Sequence, residues 1–445
     1  MLNVVNKGNH RSTMVKRNVL ASIFIKGIDA IVYFLLVPLT LGYLNPYEYG
    51  IWLTLSSILT WIDSLDVGLG NGLRNKLGKA IAIDDIERGR SYVSTTFFML
   101  IIIASSIFLI SSFAIFSVDW YSVLNVDVNV VNNLREVVFY SFLFYCIGFI
   151  FKFVGNVYQA KQLPLVSTLM VLGAHVFSLI LICILKYIVP GTLLSVAVIY
   201  SSAMPIIYIV CYSLTFFKLY PELRPSYRFF QKEKFNDLFS LSSQFFVLQI
   251  MAVVVFGISN VIISNIFGPD QVTPYNIANK YLGSLFLFWG FLSSPLWSAI
   301  TDAYAKKDFN WIELCVKKMK RILAYAAFAI IIMLICSDLV YKIWISDSVH
   351  IPFSMSLFTG IYVYILLQST TFSSILNGMG KLRLQTINII VAAILFYPMC
   401  LLLSHFWGVN GIIISMCVVN LPSALSNYIQ VRMILNHSAK GIWDK

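Results

Sequence analysis

Six ionisable residues stand inside or at the edge of long apolar runs of this sequence: Lys26, Asp29, Asp63, Asp66, Lys152 and Lys280. A charge at the centre of a lipid-embedded helix costs roughly 2.5–3.5 kcal/mol on insertion scales, so such residues normally face a cavity or a partner. Lys26 and Asp29 are three apart, which puts them on one helical face, and Asp63 and Asp66 repeat that spacing. An ammonium group away from water attracts phosphate through charge-assisted hydrogen bonds. Lys26, Lys152 and Lys280 are therefore candidate ligands for a phosphate or diphosphate. The first two lie in the inner third of their helices and Lys280 in the outer third, an arrangement able to hand such a group across a membrane. Asp29 and Asp63 are candidates for holding a proton or a sodium ion, because burial raises a carboxyl group's affinity for a proton. The structural alternatives stand beside these roles: Lys26 and Lys152 are close enough to a membrane surface to snorkel, and the carboxylates could simply neutralise lysines. Asp66 opens the string Asp-Val-Gly-Leu-Gly and reads as closing a helix end.

Uncharged polar groups accompany them. Gln244, Gln249, Asn260, Asn265, Asn276, Asn279 and Gln368 all fall in apolar segments. Asn276 and Asn279, in the same expected helix as Lys280, are the candidates for contacting hydroxyl groups of a cargo. Hydrogen bonds between helices use the same side chains equally well.

These residues must be positioned by helices that span a membrane. The 445 residues are 59% hydrophobic and 12% charged, whereas a soluble domain carries roughly 25% charged residues. Runs such as Ser91 to Val118, Gln162 to Leu185 and Leu384 to Val431 carry no Asp, Glu, Lys or Arg. A spanning helix needs about 20 mostly apolar residues. The runs are continuous and lack the alternation of a barrel strand, so helices are the backbone solution that lipid permits. The expected spans are 18–41, 49–70, 91–117, 134–158, 164–186, 191–217, 236–267, 272–299, 321–345, 352–376, 384–406 and 408–434. The last two are split at the turn signal Trp407-Gly408-Val409-Asn410-Gly411. The apolar run after Lys16 and Arg17 is too long for a signal peptide and reads as an uncleaved first helix.

With these spans, 26 of the 32 Lys and Arg residues fall on one side, and the positive-inside rule makes that side, with both termini, cytoplasmic. Loops facing anionic lipid thereby account for the net charge of +12, and nucleic acid is excluded as a partner. The seven cysteines show no metal spacing and read as small hydrophobes. Trp52, Trp120, Trp344 and Trp407 lie at span ends, as interfacial anchors do. Pro38, Pro205, Pro295, Pro398 and Pro422 are candidate kinks, and Asp338 with Lys342 a candidate i,i+4 ion pair.

The chain also repeats itself. At a shift of 226 residues Gly42 meets Gly268, Tyr49 meets Tyr275 and Ile86-Glu87 meets Ile312-Glu313. At a shift of 220 Lys161 meets Lys381 and Gly191 meets Gly411. Six spans per copy make the repeat parallel, about an axis along the membrane normal. The fold expected is thus an all-α polytopic membrane protein: about twelve transmembrane helices in two six-helix lobes around a central cleft. The lobes are 1–217 and 236–445, joined by a cytoplasmic linker over 218–235.

The stretch Tyr47-Glu48-Tyr49-Gly50-Ile51-Trp52, followed by Asp66-Val67-Gly68-Leu69-Gly70-Asn71-Gly72-Leu73-Arg74-Asn75-Lys76, resembles bacterial O-antigen and capsule repeat-unit flippases. These form the polysaccharide branch of the multidrug/oligosaccharidyl-lipid/polysaccharide exporter superfamily. The resemblance implies twelve or fourteen helices in two lobes. It also implies that an undecaprenyl-pyrophosphate-linked oligosaccharide is turned from the inner to the outer leaflet of the bacterial cytoplasmic membrane. Partners would be that glycolipid, membrane lipids and other polysaccharide-assembly proteins. No cofactor is implied beyond coupling to a proton or sodium gradient.

Two other functions compete. A cation-coupled multidrug antiporter of the same superfamily needs an acidic cleft, against which three intramembrane lysines argue. An enzyme of polysaccharide assembly needs a placed acid, base or metal. The histidines (His10, His175, His350, His405, His437) are scattered and no nucleophile is paired with a base, so no catalysis is expected.

Overall fold

The computed structural model describes residues 21, 24–64, 69–161, 163–234 and 257–444, which are helical with no strand among them. The chain divides into two compact units, Met1–Gln249 and Ile250–Lys445. The division falls inside 235–256, which lies outside the described residues.

The first unit begins with α1 (Phe24–Leu41). It continues with α2 (Pro46–Ser64), α3 (Leu69–Ala82), α4 (Ile86–Ser117), α5 (Trp120–Leu124), α6 (Leu134–Phe151), α7 (Phe153–Ala160), α8 (Pro164–Ile188) and α9 (Leu193–Leu214). The second contains α10 (Ser259–Phe267), α11 (Pro269–Ala305), α12 (Phe309–Ile335), α13 (Ser337–Ile345), α14 (Phe353–Met379), α15 (Arg383–Trp407) and α16 (Val409–Leu435).

Local chemistry sets the helix boundaries. Asn45 and Glu48 cap α2 reciprocally: Glu48 N–H donates to Asn45 Oδ1 at 2.8 Å and Asn45 Nδ2 donates to Glu48 Oε2 at 3.0 Å. The third span of each unit opens on an aspartate cap. Asp85 Oδ1 accepts from Arg88 N at 3.0 Å before α4, and Asp308 Oδ1 accepts from Trp311 N at 3.0 Å before α12. At the break between α15 and α16, Gly408 takes φ +58°, a backbone state that glycine enters without a Cβ penalty.

Eight described helices are long and apolar enough to cross a membrane, or nine if α12 and α13, bent by 63° at Cys336, form one broken span. The three other expected spans are α2, α11 and 236–267. Of these α2 carries Glu48 and Asp63, α11 carries Asp270, Lys280 and Asp302, and the third is described only from residue 257. Large apolar side chains face outward, with Phe113 76% and Ile335 77% exposed, which suits helices surrounded by lipid. The chain is a multi-pass membrane protein.

The two units carry the repeat with differences. Tyr49 and Tyr275 are both buried near the start of the second helix of their units. Gly191 and Gly411 are both crowded by backbone. A Cβ on Gly191 would stand 1.7 Å from Tyr43 O, and one on Gly411 2.2 Å from Leu403 O. Lys161 and Lys381 both follow the fourth span and both hold the segment beyond the sixth. The Lys161 ammonium lies 3.8 Å from the Tyr220 ring centroid, and Lys381 Nζ lies 2.9 Å from Asp444 Oδ1. In contrast, the fourth span is interrupted at Lys152 in the first unit and runs unbroken as α14 in the second.

Candidate functional site

One set of membrane-embedded polar groups of the first unit lies where α1 meets α8 and α9. Asp29, Tyr33, Val37 and Thr40 follow one another at helical spacing along α1. Asp29 Oδ1 lies 2.7 Å from Nδ1 of His175 on α8. Both side chains are about three-quarters buried, with 21% and 26% exposure. At that separation one proton lies between the two atoms whichever group carries it, since an ionised carboxylate can only accept. The Tyr33 ring stands 5.6 Å from the imidazole, tilted by 45°. Two turns further along α1, Thr40 Oγ1 donates to Leu36 O at 2.6 Å and lies 2.7 Å from the Tyr200 hydroxyl on α9. Trp52 of α2 stacks on Tyr200 at 5.5 Å. This polar seam fastens α1 to α8 and α9 where lipid offers no hydrogen bonds in exchange.

His175 was invisible as a site in the sequence, one of five scattered histidines. One signal could have marked it: it stands in mid-run in the charge-free stretch from Gln162 to Leu185.

Lys26 lies on α1, exposed, one turn before Asp29. Lys152 sits at the break between α6 and α7, half-buried, its ammonium 4.4 Å from the centroid of the Phe149 ring. Phe97, Phe153, Tyr212 and Phe216 cluster beside that break, Phe153 stacking on Phe216 at 5.8 Å. The Asp63 side chain and the whole of Asp66 lie outside the described residues, as do Gln244 and Gln249. Asp338 and Lys342 stand one turn apart on α13, both exposed, without the expected ion pair. An exposed pair gains little and loses side-chain freedom when it forms.

In the second unit α11 buries Val272, Tyr275, Ile277 and Ala278 and turns Asn276, Asn279 and Lys280 to a half-buried face. Asn276 Nδ2 donates to Asn260 Oδ1 at 2.8 Å and to Val272 O at 2.9 Å. Asn276 thus joins α10 to α11, with both of its amide hydrogens serving structure and its oxygen left as an acceptor. Gly283, one turn beyond Asn279, leaves room beside the Asn279 carbonyl: a Cβ there would stand 3.5 Å from Oδ1. The face therefore combines an ammonium donor with amide donors and acceptors, a set that can bind anionic and hydroxyl-rich groups but that has no acid–base or nucleophilic pair.

The family model for polysaccharide biosynthesis proteins matches residues 15–295. The chain belongs to that family. The match covers all of the first unit's described helices and enters α11. Two curated proteins of similar length align along most of the chain. A putative O-antigen transporter of Salmonella typhi is 21% identical over 82% of this chain and 82% of its own. A putative O-antigen export protein of Yersinia pseudotuberculosis is 22% identical over 83% of this chain and 84% of its own. Among solved structures, an inward-facing multidrug resistance MATE family transporter of the MOP superfamily aligns with a TM-score of 0.77 at 14% identity, covering 94% of this chain and 98% of that one. A Vibrio cholerae MATE transporter aligns with a TM-score of 0.59 at 14% identity over 97% and 100%. At such identities the likeness is one of fold.

Proposed function

We propose that this chain turns an oligosaccharide repeat unit, linked through a diphosphate to an isoprenoid lipid, from the inner to the outer leaflet of the bacterial cytoplasmic membrane. The product feeds O-antigen or capsule assembly, alongside other polysaccharide-assembly proteins. The observation that carries this reading is the alignment, over more than four-fifths of each length, with two proteins named for O-antigen transport and export. The excess of basic loops on one side supports cytoplasmic termini. The process is translocation with no covalent step, consistent with a site that offers binding groups without a nucleophile.

In this reading Lys26 and Lys152 are the diphosphate contacts of the first unit and Lys280 that of the second, and Asn276 and Asn279 contact sugar hydroxyls. Asp29 together with His175, and Asp63, answer the coupling ion, a proton or sodium. The multidrug antiporter reading has only fold likeness in its favour.

The test is complementation. A strain lacking its own repeat-unit flippase, and supplied with this chain, regains surface polysaccharide. If lipid-linked repeat units instead accumulate in the inner leaflet at full expression of the chain, the proposal fails.

A further inference from the structure

Residues 217–234 follow α9 and carry Lys218, Arg224, Arg228, Lys232 and Lys234 against only Glu222 and Glu233. The segment is strapped across the first turns of α4. Its backbone faces inward: Ser91 Oγ donates to Phe229 O at 3.1 Å, Ser226 N donates to Ser94 Oγ at 3.1 Å, and Gln231 N donates to Thr95 Oγ1 at 3.2 Å. Arg90 Nε donates to Arg224 O at 3.0 Å while its guanidinium lies 4.4 Å from the Phe229 ring centroid. Leu223 is buried beneath the strap. These contacts explain why the early turns of a membrane-spanning helix carry buried Ser91, Ser94 and Thr95.

With the backbone turned in, the cationic side chains are turned out. Arg224, Arg228 and Lys232 are exposed, and no ion pair joins them to a carboxylate among the described residues. Arg224 is held instead over the Phe217 ring at 4.2 Å. The exposed apolar groups lie beside them, with Tyr227 at 76%, Leu219 at 58% and Phe217 at 56% exposure. Tyr227 is itself fixed, stacked on Phe230 with an interplanar angle of 3° and edge-on to Phe98 at 5.6 Å. A rigid, unneutralised row of guanidinium and ammonium groups flanked by amphipathic rings is complementary to a lipid surface: the rings sit at headgroup level and the cations reach phosphate oxygens. Arginine adds planar donors suited to phosphate.

We propose that this strap is a binding surface for anionic phospholipid headgroups of the cytoplasmic leaflet. It would fix the start of α4 and the end of α9 to that leaflet. The inference rests on the membrane topology and is independent of which cargo is carried.

The test titrates fluorescent phosphatidylglycerol into the full-length chain in neutral detergent, with phosphatidylcholine as the reference lipid. Three variants are compared: Arg224→Gln/Arg228→Gln/Lys232→Gln, the charge-keeping Arg224→Lys/Arg228→Lys, and the control Lys306→Gln/Lys307→Gln/Lys318→Gln in the second unit. Each basic group at an anionic surface contributes about five-fold, so the first variant is expected to bind on the order of a hundred-fold more weakly. The charge-keeping variant and the control should retain most of the affinity. Unchanged binding by the strap variant overturns the proposal, and so does an equal loss in the control, which would mean a diffuse field of the whole molecule. A strap variant with the unfolding temperature of the unmodified chain in neutral detergent has kept its fold, so its weakened binding reports on the surface.

Discussion

Asp29 and His175 join two membrane-spanning helices through a 2.7 Å contact between Oδ1 and Nδ1. The pair is the lower rung of a ladder whose upper rung is Thr40 with Tyr200 at 2.7 Å. Together they fasten α1 to α8 and α9. A helix held at two polar points can release one and pivot on the other. This links the coupling role proposed for Asp29 to the mobility of a single helix.

Breaking the rung should therefore cost both transport and stability. Asp29→Asn and His175→Gln are each expected to lower transport strongly and to destabilise the chain by about 0.6–1.7 kcal/mol, the range of polar contacts between membrane helices. The double variant should cost less than the sum of the two, because each single change already weakens the shared contact. Thermal unfolding in detergent measures this. Strictly additive losses would show that the two residues act separately.

The crowded glycines predict a different failure. Gly191→Ala forces a methyl group toward Tyr43 O, which a Cβ would approach to 1.7 Å, and Gly411→Ala does the same at Leu403 O, at 2.2 Å. Overpacking costs about 1–3 kcal/mol even where side chains can give way, and backbone gives way less. Both variants should show lowered unfolding temperatures. Gly27→Ala, where a Cβ meets nothing within 4 Å, should match the unmodified chain. An undisturbed Gly191→Ala would mean that the loop before α9 can move aside.

On α11 the roles divide. Asn276→Ala removes the bond to Asn260 and should destabilise by about 0.6–1.7 kcal/mol. Lys280→Ala should reduce transport, and Lys280→Arg should restore only part of it, since a guanidinium keeps the charge but not the compact shape of an ammonium. Melting curves and transport rates on the same preparations separate the two. If Lys280→Ala transports normally, the lysine has no part in holding the diphosphate.

Much of this architecture was legible in the sequence because lipid imposes simple rules. Continuous apolar runs marked the eight or nine spans found among the described residues, and the turn at Gly408 separated α15 from α16 as expected. Where the rules are silent, the reading missed. The bend at Cys336 and the interruption at Lys152 follow no proline or glycine signal, and the expected Asp338–Lys342 pair does not form. His175 was overlooked because a histidine is counted neither as a charge nor as a hydrophobe, and its partner lies 146 residues away. The packing of the strap over α4 leaves no mark in the sequence because its anchors, Ser91, Ser94 and Thr95, look like an ordinary hydroxyl-rich helix start. Pairings between distant residues leave no local pattern in a single sequence.

The most direct measurement places the purified chain in vesicles whose inner leaflet carries an isoprenoid-diphosphate-linked oligosaccharide, and follows its exposure to an outside lectin. The account predicts that the unmodified chain exposes the glycolipid and that Lys280→Ala and His175→Gln slow the exposure at equal protein content. Vesicles containing the intact chain that expose no more glycolipid than empty ones, while the same vesicles export a cationic dye, would contradict it.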